Sequence, residues 1–311
     1  MGERNTDAVI GIPKISIVIL TYNGSKYISS LLDAVFSQEC KSRFEVIIID
    51  SSSTDDTCRI ARSYNVYIHV IDQLSFSHPG TRNLGLSLSK GQFIVFITQD
   101  AWPINSSWLD ELVNPVERYP QIAASYSRQI PRPECNPLEA RDIYIGAPCI
   151  DEIRYANMAV EWQKNDYLRN MHRYISFSNV SACYRSDLLG TNPFDERLKM
   201  VEDQEWAKRM IESGYAIHYA SKSIIMHSHN HTIDKISERF FDYGRSFKKF
   251  MPYDPPARSS ILKSSLYEWI NDIFFISGDN RRMRSKLKWM CLSPFRRFAA
   301  KYGMYKGWKN G

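Results

Sequence analysis

Apolar residues in the first third of the chain come in short, nearly continuous runs: ISIVIL at 15–20, FEVIIID at 44–50 and FIVFI at 93–97. A run of this length without regular polar alternation predicts a strand buried on both faces, as in a parallel sheet covered by helices. Each run stops at a polar turn. Thr21, Tyr22, Asn23 and Gly24 follow the first, Ser51 to Thr54 follow Asp50 at the end of the second, and Gln99, Asp100, Ala101, Trp102 and Pro103 follow the third. Tyr27, Leu31, Leu32, Val35 and Phe36 keep helical spacing, and a further strand, VYIHVI, leads into the segment holding His78 and Arg82. Strands alternating with helices imply an α/β fold, with ligands bound outside the carboxyl ends of the strands.

The later pattern is less regular. A helix is expected from Trp108 to Tyr119, closed by Pro120, then a strand over 122–130. Residues 131–176 show no clean period and read as an irregular excursion, partly mobile and partly an acceptor-side wall. FSNVSACYRSDLL (177–189) predicts a strand running into a short helix. Glu202 and Asp203 open another helix that ends at Gly214, and the strand AIHYASKSIIMHSHN closes on His227, His229 and His231. Alternation puts those three imidazoles on one face, near an Asp from another strand end, which is a plausible divalent site.

Length and composition narrow the class. The 311 residues are 43% hydrophobic with 14 Gly and 14 Pro, an ordinary globular composition. No apolar run approaches the roughly 18 residues that span a bilayer. The opening MGERNTDAVIGIPK has acids and no apolar signal core, which predicts a cytoplasmic protein. Cys40, Cys58, Cys135, Cys149, Cys183 and Cys291 form no CxxC pair, so neither structural zinc nor a disulfide framework is expected. The net charge is +6. From Lys235 onward there are 17 Lys+Arg against 6 Asp+Glu, a net of +11, leaving −5 for the rest.

The co-linear set TYNG, DSSSTDDT, FSHPGTRNLG (76–85), FITQDAWP (96–103) and the later acid pair resembles glycosyltransferase family 2, over about residues 14–250. FSHPGTRNLG and FITQDAWP are similar to the corresponding stretches of bacterial rhamnosyltransferases of surface polysaccharides. The resemblance implies a GT-A fold: a Rossmann-like, mostly parallel central sheet flanked by helices. It divides the chain into an N-terminal tail (1–13), a catalytic domain (14–235, with a nucleotide-sugar half to 130 and an acceptor half from 131), and a basic, aromatic, helical C-terminal extension (236–311).

It also implies site residues. Thr21, Tyr22, Asn23 and Asp50 are expected at the nucleobase and ribose; Asp50 as a cap for the following segment is the alternative. His78, Arg82, Gln99 and Asp100 are expected on the donor side, Arg82 because its planar fork suits a diphosphate. Asp100 with His227, or with His229, is expected to hold Mn²⁺ or Mg²⁺. The family's Asp-x-Asp motif reads Thr98, Gln99, Asp100 here, so a first carboxylate is missing and the metal is expected to lean on the substrate's own diphosphate. Asp203 is the expected base, beside Glu202, and Trp102, Asn179 and Trp206 are expected on the acceptor side.

Lys, Arg and aromatics interleave in the C-terminal extension, a composition that suits an anionic membrane surface, so a peripheral location on the inner face of the cell membrane is expected. Helices simply packed on the domain are the alternative. No nucleic-acid module is recognised, and no nucleic-acid partner is expected. The implied activity is inverting, metal-dependent transfer of rhamnose from TDP-rhamnose to a saccharide or lipid-linked saccharide. Transfer of another sugar from a UDP donor and a catalytically inactive sugar-nucleotide-binding scaffold remain open readings.

Overall fold

A computed structural model describes residues 12–255 and 257–310. The expected tail lies outside the described residues up to position 11, as does Pro256; residues 254–260, which read as a linker from their Pro and Ser content, bound the C-terminal helices. The first half alternates as the apolar runs require: β1 (Ile15–Thr21), α1 (Ser25–Phe36), β2 (Phe44–Asp50), α2 (Thr57–Ala61), β3 (Tyr67–Val70), α3 (His78–Leu88), β4 (Phe93–Thr98), β5 (Trp102–Pro103), α4 (Trp108–Arg118) and β6 (Ile122–Ile130). Then come α5 (Pro137–Gly146), β7 (Glu152–Arg154), α6 (Glu161–Arg169), α7 (Met171–Ile175), β8 (Ser181–Arg185), α8 (Ser186–Thr191), α9 (Glu202–Glu212), β9 (Ala216–Met226), α10 (Ile233–Phe247), α11 (Arg258–Ser277) and α12 (Met283–Asn310).

The sheet runs β3-β2-β1-β4-β8-β6-β9-β5, with β7 pairing β9. It is parallel from β3 to β4. Beyond that point it is mixed: β8 is antiparallel to both β4 and β6, whereas β6 and β9 are parallel. The antiparallel share is therefore larger than a mostly parallel sheet would have. Both faces are covered, which is why the strands are apolar throughout. Ile17, Ile19, Val46 and Val95 pack with Leu31, Leu32 and Leu112 on one side, and Val18, Ile47, Phe96 and Tyr184 pack with Trp206 and Met210 on the other.

The segment 131–176 is not irregular, as its lack of period suggested. Asn136 accepts hydrogen bonds from the Leu138 and Glu139 amides, and Pro137 occupies the first turn of α5. The Asn-Pro pair is a helix start, because that first amide needs no intrahelical acceptor. The linker also gives way to helix at Arg258.

The C-terminal helices join the same body. Phe247, Met251 and Trp308 share a buried cluster with Phe177 and Tyr184. Asp272 of α11 is fully buried and receives Arg141 from α5 at 3.0 Å and Arg297 from α12 at 2.7 Å, tying three helices together.

Candidate active site

The registers place Thr21 beside Asp50 and Leu20 beside Thr98, so β1, β2 and β4 end together. A cavity of about 620 Å³ opens at this edge. Its walls include Thr21, Tyr22, Ser51, Thr98, Gln99 and Asp100 from the strand ends, His78 and Arg82 from α3, and Asn179 and Val180 from the approach to β8. Glu202 and Asp203 from α9, His227 and His229 after β9, and Arg239 and Tyr243 from α10 complete it.

The strand-end turns are tied to one another. The Tyr22 amide donates to Gln99 Oε1 and Gln99 Nε2 donates to the Tyr22 carbonyl, both at 3.0 Å. A Cβ at Gly24 would strike the Gln99 amide and displace it from its two bonds to Tyr22. Asn23, at φ 46°, accepts from the Thr54 amide at 2.9 Å and acts as a turn tie off the cavity wall. Asp50 is 1% exposed and accepts three hydrogen bonds: Thr21 Oγ1 donates at 2.7 Å, Ser53 Oγ at 2.6 Å and the Ser53 amide at 2.8 Å. It ties the turn that follows and lies just behind the cavity wall, whose residues Thr21 and Ser51 flank it. Its neighbour Ser51 lines the cavity, and Ser51 Oγ and Thr98 Oγ1 have no hydrogen-bond partner among the described residues.

Val201, just before α9, adopts φ 59°, a left-handed conformation that is an outlier for a β-branched residue. This turn sends Glu202 and Asp203 toward the cavity. Glu202 meets Arg82 NH1 at 2.6 Å and accepts from Asn179 Nδ2 at 3.1 Å, while Tyr184 OH donates to Asn179 Oδ1 at 2.6 Å. Asp203 accepts from the Asn179 amide at 2.9 Å and the Gln204 amide at 2.8 Å. Burial first, then the adjacent Glu202 charge, raises Asp203 to about 7 against the opposing pull of those amides and Arg82. Proximity to neutral pH suits a general base. Burial, followed by the Arg82 charge, lowers His78 to about 4 and keeps it neutral.

Asp100, His227 and His229 converge as the alternation of histidines suggested. Asp100 Oδ2 lies 3.6 Å from His227 Nε2 and 3.7 Å from His229 Nδ1. One atom from each of the three lies within 4.8 Å of the others. His227 Nδ1 is 3.0 Å from Gln129 Oε1, and Gln129 Nε2 donates to Ser178 Oγ at 3.0 Å. That relay makes Nδ1 the protonated nitrogen and leaves Nε2 free to ligate. Burial lowers His227 to about 3, so it is neutral as a ligand must be. One carboxylate and two imidazoles fit a divalent ion and leave coordination positions for a substrate diphosphate. Of the two histidines weighed from sequence, both are in place. His231 stacks on His229 at 4.7 Å and is part-buried, not a surface residue.

Two acceptor-side expectations fall away. Trp206 is fully buried, its indole donating to the Asn192 carbonyl at 2.7 Å, and it packs on Tyr184 in the core. Trp102 lies 5.0 Å from the Arg132 guanidinium and off the cavity wall. Arg239 and Tyr243 were missed because their stretch, ERFFDYGRSF, reads as part of a basic aromatic tail. Arg239 donates to Tyr243 OH at 3.1 and 2.9 Å and has no carboxylate partner among the described residues.

The Glycosyl transferase family 2 model matches residues 16–184. An O-antigen chain rhamnosyltransferase of Salmonella anatum is 34% identical over 237 residues, covering 75% of this chain and 72% of its own. That of Salmonella typhimurium is 32% identical over 234 residues, covering 74% and 71%. Among solved structures, a Pyrobaculum calidifontis mannosyltransferase in complex with GDP-Man and Mn²⁺ superposes with a TM-score of 0.58 at 16% identity, covering 94% of this chain and 88% of the other. TarS residues 1–349 of S. aureus with UDP-GlcNAc gives 0.56 at 19% identity, covering 96% and 91%. The GT-A fold is thereby shared.

Proposed function

Since the chain belongs to glycosyltransferase family 2, we propose that it is an inverting rhamnosyltransferase, using TDP-rhamnose as donor and a hydroxyl of a growing, lipid-linked saccharide as acceptor. The observation that carries the reaction is the pairing, in one cavity, of a carboxyl poised at about 7 with a divalent-type cluster. Asp203 takes the proton of the acceptor hydroxyl as its oxygen attacks the anomeric carbon. The bond from that carbon to the diphosphate oxygen breaks, and the leaving nucleoside diphosphate keeps the electron pair. A single displacement inverts the anomeric centre.

Asp100, His227 and His229 would hold the divalent ion, which when bound supplies positive charge against the diphosphate. Arg239, whose guanidinium has only a neutral hydroxyl partner, offers further charge to the leaving group. Arg82 is committed to Glu202 and acts through it, holding the acid pair in place. The rhamnose donor is supported by the two Salmonella relatives, named as rhamnosyltransferases.

The test is a thermal-shift screen over TDP-rhamnose, UDP-glucose, UDP-GlcNAc and GDP-mannose with and without Mn²⁺, because a ligand of the native state raises the midpoint. TDP-rhamnose should give the largest metal-dependent shift, and its turnover should release nucleoside diphosphate. A larger shift with a UDP or GDP sugar would reassign the donor.

A further inference from the structure

The C-terminal helices turn one face to the protein and leave another uncovered. In α11, Ile261, Ser265, Asp272 and Ile276 are buried. On the opposite side, Leu262, Leu266, Ile270 and Phe274 recur at every fourth position, with Tyr267 beside them. Residues four apart share a helix face. Leu262 is 70% exposed and Phe274 71%. On the neighbouring face, Tyr144 of α5 is exposed with its ring 6.4 Å from Phe275, and Ile145 beside it is exposed too. An exposed apolar row of this length along one helix marks an interaction site.

Charge decides what covers it. Residues 258–310 hold 12 Lys+Arg and three acids, Glu268, Asp272 and Asp279. Each acid is engaged by a cation of the protein itself: Glu268 by Arg141, Asp272 by Arg141 and Arg297, and Asp279 by Arg281. Lys263, Arg282, Arg284 and Lys288 are exposed among the apolar positions of α11 and the start of α12. A second copy of the chain would press like charges together, which is costly. An anionic bilayer surface complements both features, taking apolar side chains to headgroup depth with cations at the phosphates. Among the described residues no helix is long and apolar enough to cross a membrane, so the contact would lie along the surface.

We propose that the outer faces of α11 and the start of α12 dock this protein on an anionic lipid bilayer. The position favours a role in catalysis: Arg281 donates to the Cys135 carbonyl, and Arg296 of α12 donates to the His231 carbonyl at 2.9 Å, two residues from His229. The inner side of the helix that carries the docked face is thus bonded to the segment following His229. Such docking deepens the lipid-linked acceptor reading and rests on exposure and charge.

The experiment is co-sedimentation of the full chain with vesicles of phosphatidylcholine, or of phosphatidylcholine mixed with phosphatidylglycerol, at low and high salt. The wild type should bind the phosphatidylglycerol vesicles and release in high salt. Arg282→Gln with Arg284→Gln should weaken partition roughly fivefold for each cation removed, and Leu266→Glu with Phe274→Glu should abolish it. None of these residues lines the cavity, so turnover of donor with a soluble acceptor should persist, which separates this test from that of the transferase reading. Absence of binding, equal binding to both vesicles, or unchanged binding by both variants would overturn the proposal. So would a concentration-dependent dimer that consumes the face and is lost in the Leu266→Glu, Phe274→Glu variant.

Discussion

Arg82 and Glu202, 120 residues apart in sequence, form an ion pair of 2.6 Å in which the side chains are only 7% and 5% exposed. Breaking such a pair on one side leaves an uncompensated buried charge. The pair therefore holds Arg82 NH1 on Glu202, leaves Nε without a partner among the described residues, and fixes a negative charge next to Asp203.

That charge should be visible in the pH dependence. A general base must be deprotonated to act, and Asp203 is raised to about 7. The wild-type kcat/KM should accordingly rise with pH through about 7. Glu202→Gln removes one cause of the raise, so the limb should move to lower pH, with folding weakened by about 3–5 kcal/mol from the stranded Arg82. Rate profiles and denaturant melts of both proteins check this; an unmoved limb would remove Asp203 from the role.

Arg239 and Arg82 should fail differently. Arg239→Ala forfeits only hydrogen bonds to Tyr243 within the protein, so its stability should be near wild type. Charge-assisted bonds contribute about 1.5–3 kcal/mol, and affinity for the nucleoside diphosphate should fall by roughly 10- to 100-fold. Arg82→Ala should lower the melting midpoint first. Calorimetric titration with TDP, alongside thermal melts, distinguishes the two.

The divalent cluster has a supporting residue that can be tested without touching a ligand. Gln129 fixes the His227 tautomer through a 3.0 Å contact. Loss of such a partner lowers metal affinity by about 10- to 100-fold. Gln129→Leu should need correspondingly more Mn²⁺ for half-maximal binding, read from the free-ion signal in electron paramagnetic resonance. Asp100→Ala should abolish metal-dependent turnover altogether.

What the sequence made legible is the part governed by local pattern. Apolar runs that stop on polar residues located β1, β2 and β4 and, with them, Thr21, Gln99 and Asp100 at one edge. Alternation located His227 and His229. The turn bonds of Asp50 come from Ser53, which folds back from three residues on, and Asp-x-x-Ser is itself a capping spacing. Trp206 shared a helical face with Met210 and Ile211, and that face is the core. The engagement of Arg82 by Glu202 and the entry of Arg239 into the cavity depend on elements far apart in the chain, which no local period encodes.

The packing of α12 on α10 gives a final prediction. A glycine inside a helix costs about 1 kcal/mol relative to alanine, so a Gly-to-Ala change stabilises wherever space exists. Gly190 in α8 has open space around it, and Gly190→Ala should raise the melting midpoint slightly. At Gly307 an added Cβ would run into the Phe241 backbone, which cannot rotate away as a side chain could. Gly307→Ala should therefore destabilise by about 1–3 kcal/mol, the usual cost of overpacking. Because α10 also carries Arg239 and Tyr243 into the cavity, the same change should raise KM for the donor. Melts and donor kinetics of the two variants check both halves; a Gly307→Ala protein as stable and active as Gly190→Ala would mean that α12 does not hold α10 in place.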